Sequence, residues 1–299
     1  MMANSGKIVV CAAGMKGFAF VEGLLKNGVK IDSIATYAQA DDHAKSSERL
    51  RELATDRSIQ LLDTRRPLLQ SDDLTFLVGW QHLLSHVTSS TVVFHDSLLP
   101  RYRGFAPTVT ALMNGDREIG VTALRPNDNV DEGPIFAQRS LAISYPIKIQ
   151  EALMLQAALM ADLAIDIVDQ WQRDQLSATP QQDDSATYSI WRDDQDYEID
   201  WTSDAHAIER FVNAVGYPYA GARTTVGGIE TLRILEVSVV SDLRFEIRDA
   251  GKIWKLDNGK PVIVCGTGMA RIEKWQADNG TEFAFQRLRT RLGPARQAL

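Results

Sequence analysis

The sequence predicts an α/β chain: a doubly wound, mostly parallel sheet over residues 1–185, then a smaller, mostly β domain. Three observations carry this expectation. Residues 7–63 alternate apolar strand-like runs with helical runs in the order β-α-β-α-β, the pattern of a parallel sheet. The stretch LSATPQQDDSA (176–186) is polar, carries the turn-forming Pro180 and has almost nothing with which to build a core. Beyond Trp201, short apolar runs are separated by Gly, Asn and Asp turns, which suits a small antiparallel barrel.

Each element follows from its period. KIVVCAAG (7–14) reads as a buried strand, and residues 15–27 place Phe18, Phe20, Val21, Leu24 and Leu25 at helical spacing. Residues 31–37 form a second strand. DDHAKSSERLRELATDRS is a charged helix with Leu50 and Leu53 on one side, and IQLLD is a third strand. Residues 74–80, 91–94 and 120–124 read as further strands, the first followed by a short helix, HLLSHV. Residues 147–175 form one long helix with Ile149, Leu153, Ala157, Met160, Leu163, Ile167 and Trp171 on its apolar side. The domain linker falls in and just after LSATPQQDDSA, so the expected division is 1–185, a linker over 186–203, and 204–299. In the last part SDAHAIERFVNAVG reads as a helix, and ARTTV, TLRILEVSVV, FEIRD, IWKLD and PVIVC as strands of an OB-like barrel.

Composition narrows the function classes. Of 299 residues, 44% are apolar and 24% charged, which excludes disordered and collagen-like chains. A formal charge of −7 and a pI near 5.3 disfavour nucleic acid as a partner unless cations gather on one face. Cys11 and Cys265 are the only cysteines. They offer neither a disulfide framework nor a zinc site, and they suit the reducing cytosol. The N-terminal run is unlike a secretory signal, and no stretch of 18 apolar residues occurs, so the expectation is a cytoplasmic chain with no membrane partner. A homodimer is left open.

The motifs differ in weight. Ala12-Ala13-Gly14-Met15-Lys16-Gly17 follows the first strand and resembles a dinucleotide loop only with Ala for its first Gly, a weak signal; a tight turn that packs helix on strand is the preferred reading. His95 stands at the end of a strand, where ligand sites of doubly wound sheets lie. The next strand ends in a polar loop carrying Asp128 and Asp131. Two strand ends of this kind can bring an imidazole and a carboxylate together for proton transfer. A core histidine and an exposed turn acid remain the plain alternatives. His43 and His206 read as solvated. His82 and His86 have i, i+4 spacing but no HExxH pattern or adjoining carboxylate, so no metal is expected. The basic run RLRTRLGPAR reads as an exposed helix face.

The string His95-Asp96-Ser97-Leu98-Leu99-Pro100-Arg101-Tyr102-Arg103-Gly104, followed by Ala106-Pro107, Asn114-Gly115-Asp116, Gly120-Val121-Thr122 and Asp131-x-Gly133, resembles the formyltransferases that use 10-formyltetrahydrofolate. Ile199-Asp200-Trp201 and Gly216-Tyr217-Pro218-Tyr219-Ala220-Gly221-Ala222 are similar to the linker and C-terminal domain of methionyl-tRNA formyltransferases and nucleotide amino-sugar N-formyltransferases. The resemblance implies a Rossmann-like catalytic domain in which His95 handles the proton of an attacking amine while Asp131 holds that imidazole. It implies no metal. It assigns 10-formyltetrahydrofolate to three loops: His82, Leu83 and Leu84; Ser97, Leu98, Leu99 and Pro100; and Asn127, Asp128, Asn129 and Val130 with Asp131. The acceptor expected is a small-molecule amine, a nucleotide-linked amino sugar before a tRNA because of the negative charge, with Lys16, Arg101 and Arg103 as cations placed for a diphosphate. One departure stands out. The family pattern Asn-x-His supplies an oxyanion donor, and here Val93 occupies that place. Losing such a donor costs roughly a hundredfold in rate, so a backbone N–H, Gln81 or His82 is expected to replace it. A slow enzyme and a binding protein without catalysis are the other readings.

Overall fold

A computed structural model describes residues 6–39, 44–84, 86–278 and 280–293. It divides into two compact units, residues 1–108, 118–143 and 151–190 in one, and 109–117, 144–150 and 191–299 in the other. The strands of the first part are β1 (Ile8–Ala12), β2 (Ser33–Thr36), β3 (Gln60–Asp63), β4 (Leu74–Val78), β5 (Thr91–His95), β6 (Arg103–Gly104), β7 (Glu118–Leu124), β8 (Ile135–Ala142) and β9 (Tyr188–Ser189). Its helices are α1 (Gly14–Lys26), α2 (Ser46–Asp56) and α4 (Ile149–Gln172), while α3 (Pro107–Asn114) falls mostly in the second unit.

Seven strands form one sheet in the order β3-β2-β1-β4-β5-β7-β8. The first four pairings are parallel, and β7 and β8 run antiparallel at the edge. The predicted mostly parallel, doubly wound sheet is therefore the observed one. Alternation along β1 feeds two apolar clusters. Ile8, Val10 and Ala12 join Phe18, Phe20 and Leu24 of α1 and Met160, Leu163 and Ile167 of α4, while Val9 and Cys11 join Ala35 and Leu77. Phe20 sits 5.8 Å from Phe76 and 5.2 Å from Phe94, ring centre to ring centre. Each large side chain buried this way contributes ~1.5–3 kcal/mol against exposure. Gly17 lies in α1 directly over β1, where an added Cβ would sit 3.1 Å from Ala12, so its place in the glycine turn is explained by close helix–strand packing.

Several local expectations need correction. HLLSHV is irregular over its described residues rather than helical, and Ser85 lies outside them. β8 and α3 were not foreseen. The polar stretch 176–186 is not a free linker. Thr179 bridges Ile135 with two 2.8 Å backbone bonds, and Tyr188–Ser189 pairs in parallel with Arg103–Gly104, so residues up to 190 belong to the first unit.

The second unit holds α5 (Ala205–Ala214), β10 (Ala222–Val226), β11 (Glu230–Val240), β12 (Ile253–Asp257), β13 (Lys260–Val264), β14 (Met269–Ala277) and β15 (Leu292–Gly293). Asp204 caps α5 through His206 N at 2.9 Å. Its buried side, Ile208 and Val212, packs toward β11 and β14. The six strands form an antiparallel sheet, β12-β13-β14-β11-β10-β15. The sheet curls until its edges approach at one end: Leu292 N donates to Gly251 O at 2.7 Å, and Ile253 N to Thr290 O at 3.1 Å. FEIRD is irregular, not a strand, because Arg248 turns its guanidinium onto the carbonyls of Cys265 and Gly268. RLRTRLGPAR is likewise no helix. It passes irregularly into β15, and residues 294–299 lie outside the described chain, as does His43.

Candidate active site

The parallel strands β1, β4 and β5 deliver their carboxyl ends to one edge of the sheet, and β5 ends at His95. This imidazole is 7% exposed. Its Nε2 lies 2.8 Å from the carbonyl oxygen of Tyr102, which can only accept, so Nε2 carries a proton. Its Nδ1 lies 3.4 Å from Asp131 Oδ2. The same carboxylate oxygen accepts a 2.8 Å hydrogen bond from Gly104 N. The two residues that the sequence singled out thus meet, and the hinge between them is β6, whose neighbouring backbone atoms hold one group each. Gly104 is required there. Its φ is +99°, and an added Cβ would fall 2.4 Å from Ser189 O.

The loop 97–100 is fixed by groups that sequence reasoning passed over. Thr122 Oγ1 donates to Ser97 O at 2.6 Å and accepts from Leu99 N at 3.0 Å. Gln138 Nε2 donates to Leu99 O at 2.9 Å, and Ser97 Oγ donates to Arg101 O at 2.6 Å. Gln156, fully buried on α4, donates to Asp96 O and Gly120 O. A glutamine inside a long apolar helix was the available signal, and in the structure Thr108 Oγ1 donates to its Oε1 at 2.8 Å. Leu99 is buried and Leu98 half-buried.

Around this centre the other candidates separate into two groups. Residues 127–130 are exposed, with Asn129 bonded to Asn127 and Glu132. Leu83 is 93% exposed, and Leu84 packs with Val93, Trp80 and Leu77. Val93 accordingly faces an apolar wall. The His95 ring nitrogens meet Tyr102 O and Asp131 Oδ2, and neither Gln81 nor His82 is among these partners. His82 rests 4.5 Å from the Tyr37 ring, and among the described residues neither its buried Nε2 nor Trp80 Nε1 has a hydrogen-bond partner. Burial pushes the Tyr37 phenol up, with Gln39 pulling in the opposite direction. The cations placed for a diphosphate are differently employed. Lys16 is ion-paired with Asp96, Arg101 lies over the Tyr102 ring at 4.4 Å, and Arg103 is 1% exposed with its guanidinium turned inward, which removes it as a phosphate ligand. Among the described residues no group of three or more potential ligands could hold a metal ion, and no helix is long and apolar enough to cross a membrane.

Two family models match the chain. One, described as formyl transferase, covers residues 69–154, and the other, formyl transferase C-terminal domain, covers residues 192–289. The chain belongs to the formyl transferase family. His95, Asp131 and the three candidate loops all fall within the first match of this formyl-transferring enzyme. A methionyl-tRNA formyltransferase of Bartonella bacilliformis is 28% identical over 272 residues, covering 88% of this chain and 81% of that protein. One from Geobacter metallireducens is 31% identical, covering 69% and 64%. Among solved structures, a sugar 3N-formyl transferase determined with dTDP and 5-N-formyl-THF matches with a TM-score of 0.66 at 15% identity, covering 92% of this chain and 98% of that one. A methionyl-tRNA formyltransferase from Clostridium thermocellum matches with a TM-score of 0.55 at 17% identity, covering 90% and 100%. At these identities the structural likeness concerns the fold.

Proposed function

We propose that this protein moves a formyl group from 10-formyltetrahydrofolate to the primary amine of a small acceptor, a nucleotide-linked amino sugar. The observation that carries the reading is the orientation of His95. With Nε2–H held by the Tyr102 carbonyl, the nitrogen left for chemistry is Nδ1, and a proton arriving there lies between the ring and the Asp131 carboxylate. His95 Nδ1 takes the proton that the amine gives up as its nitrogen bonds to the formyl carbon. Asp131 steadies the charged ring. The proton then passes to the folate nitrogen as the old C–N bond breaks, so the exchange balances without a further reactant.

The loops suit the folate donor, which supplies an activated formyl group. Exposed Leu83 and Val130 offer apolar surface for a flat ring, and the exposed backbone of residues 127–130 offers amides and carbonyls for its polar edge. His82 Nε2, buried and without a hydrogen-bond partner among the described residues, adds a polar atom.

For the acceptor, charge is the discriminating quantity. From residue 191 onward 15 Lys and Arg stand against 16 Asp and Glu. Many of these cations are already paired: Arg233 with Asp194 and Asp278, Arg248 with Asp242, Arg271 with Asp257 and Glu273, and Lys274 with Glu236. A surface so neutralised is poorly suited to several tRNA phosphates. A tRNA acceptor is the second reading, favoured by the names of the 28–34% identical relatives. Incubation with 10-formyltetrahydrofolate, a panel of dTDP- and UDP-linked amino sugars and methionyl initiator tRNA, followed by mass spectrometry, separates the two. Gain of one formyl group on a sugar is expected. Efficient tRNA formylation without sugar turnover overturns the assignment.

A further inference from the structure

A buried guanidinium next to the candidate site has no role in the chemistry above. Arg103 Nε and Nη2 donate to Gln181 Oε1 at 3.2 and 2.9 Å, Nη2 also reaches Asp183 Oδ1 at 2.6 Å, and Nη1 lies 3.5 Å from Glu132 Oε1. Cations are rarely buried without paired acceptors, and these contacts lie on two chain segments, 131–133 and 181–183, with the Tyr188 side chain as a further partner. Gln181 is the link between them. Its oxygen is occupied by Arg103, which fixes the amide so that Nε2 points the other way, donating to Asp131 O at 2.7 Å and Gly133 O at 2.8 Å. The carbonyl thus grasped belongs to a residue with φ of +57°, in the left-handed region that side chains seldom adopt.

From this geometry we propose that Arg103 and Gln181 act as a positioning relay for formyl transfer: the buried guanidinium orients the Gln181 amide, and the amide locks the Asp131 main chain in the conformation that presents its carboxylate to His95 Nδ1. The inference rests on the proposed proton-transfer role of His95 and Asp131. Asp131 is then held at two points, its carboxylate by Gly104 N and its carbonyl by Gln181. Residue 103 and residue 104 therefore govern the same aspartate, one through its side chain and the other through its backbone. The arrangement assigns a purpose to Gln181, which stands in a stretch whose composition suggests only a connector.

Two substitutions distinguish positioning from simple core stapling. Gln181→Met removes both halves of the relay. Gln181→Glu keeps an acceptor for Arg103 but cannot donate to the carbonyls of Asp131 and Gly133. If Gln181 merely satisfied a buried cation, Gln181→Glu would behave as wild type. As a positioning residue it is expected to behave as Gln181→Met does, with kcat lowered ~10- to 100-fold while KM for 10-formyltetrahydrofolate stays within ~3-fold. In the 15N spectrum of histidine-labelled protein, the Nδ1 resonance of His95 should move in both variants while that of His206 stays fixed. This spectrum needs no turnover, so it tests the relay even if wild type formylates none of the acceptors offered, an outcome that would count against the proposed function alone. Wild-type kcat with an unmoved His95 resonance in folded Gln181→Glu overturns the relay. Should Gln181→Met fail to fold, Asp183→Asn, altered at the exposed end, is expected to give a smaller kcat loss of ~2- to 5-fold with the same resonance shift, and no shift there would also overturn it.

Discussion

Gly104 donates its backbone N–H to Asp131 Oδ2 at 2.8 Å, and that oxygen is the one 3.4 Å from His95 Nδ1. A carboxylate gripped on one oxygen by a main-chain donor keeps its direction whatever the ring beside it does. Orientation and charge are thereby separable, because Asn in place of Asp131 retains an oxygen for Gly104 and tolerates the left-handed backbone, yet loses the charge.

Asp131→Asn is accordingly expected to fold normally and to lower formyl transfer by at least ~100-fold, and His95→Ala to do the same. Circular dichroism and steady-state rates check this. Near-wild-type turnover in either folded variant would remove that residue from the chemistry.

Val93→Asn restores the residue type that the family pattern has two positions before the histidine. It places an amide in the apolar wall formed with Leu77, Trp80 and Leu84, so stability should fall by ~1–3 kcal/mol, read from urea unfolding. We expect kcat to change by less than ~3-fold. A gain of tenfold or more would show that Val93 leaves charge on the formyl oxygen without a donor.

Burial pushes the Glu273 carboxyl up, but hydrogen bonds from Lys260, Ser238 and Arg271 outweigh it and hold the group at about 2, against an ordinary 4.5. A depressed carboxylate stabilises above its unfolded value and loses that contribution as pH falls toward the folded one. Glu273→Gln should therefore cost on the order of 1 kcal/mol at neutral pH, discounted for the half-exposed cations around it. The gap to wild type should close as pH falls from about 4.5 toward about 2. Unfolding midpoints across that range decide it, and a pH-independent gap would refute the linkage.

Burial pushes both thiols, Cys11 and Cys265, up to about 12. Thiolate is the reactive form. Iodoacetamide should label neither in the native protein at mildly alkaline pH and both after denaturation, as counted by mass spectrometry. Rapid native labelling would show that either site opens.

How much of this was readable in advance depends on distance along the chain. β1, α1, β2, α2 and β3 were legible because each carries its own period, apolar runs for buried strands and 3.6-residue spacing for helices. β8 was not, since IFAQRSLA at a sheet edge exposes most of its residues and shows no apolar run. FEIRD misled in the opposite sense, having strand composition but giving its backbone to a turn organised by Arg248. At the site, His95 and the Asp131 loop could be suspected because both follow strands. Arg103 could be read only as a cation near the site, since nothing in PRYRG reveals that its side chain turns inward. Gln181 was hidden more deeply. Its partners lie 50 and 78 positions away, and the polar neighbours that suggested a linker are the ones that satisfy a buried arginine.

The parallel pairing of β6 with β9 also has a temporal side. As the chain leaves the ribosome, all seven strands of the main sheet, the histidine and the aspartate emerge before residue 175, enough for the sheet to close. The segment that fastens Tyr102 and Gly104 in place, through Thr187 and Ser189, emerges only afterwards. A nascent chain thus carries His95 and Asp131 before the backbone that holds them is fastened, and their mutual geometry is complete only once Ser189 has emerged.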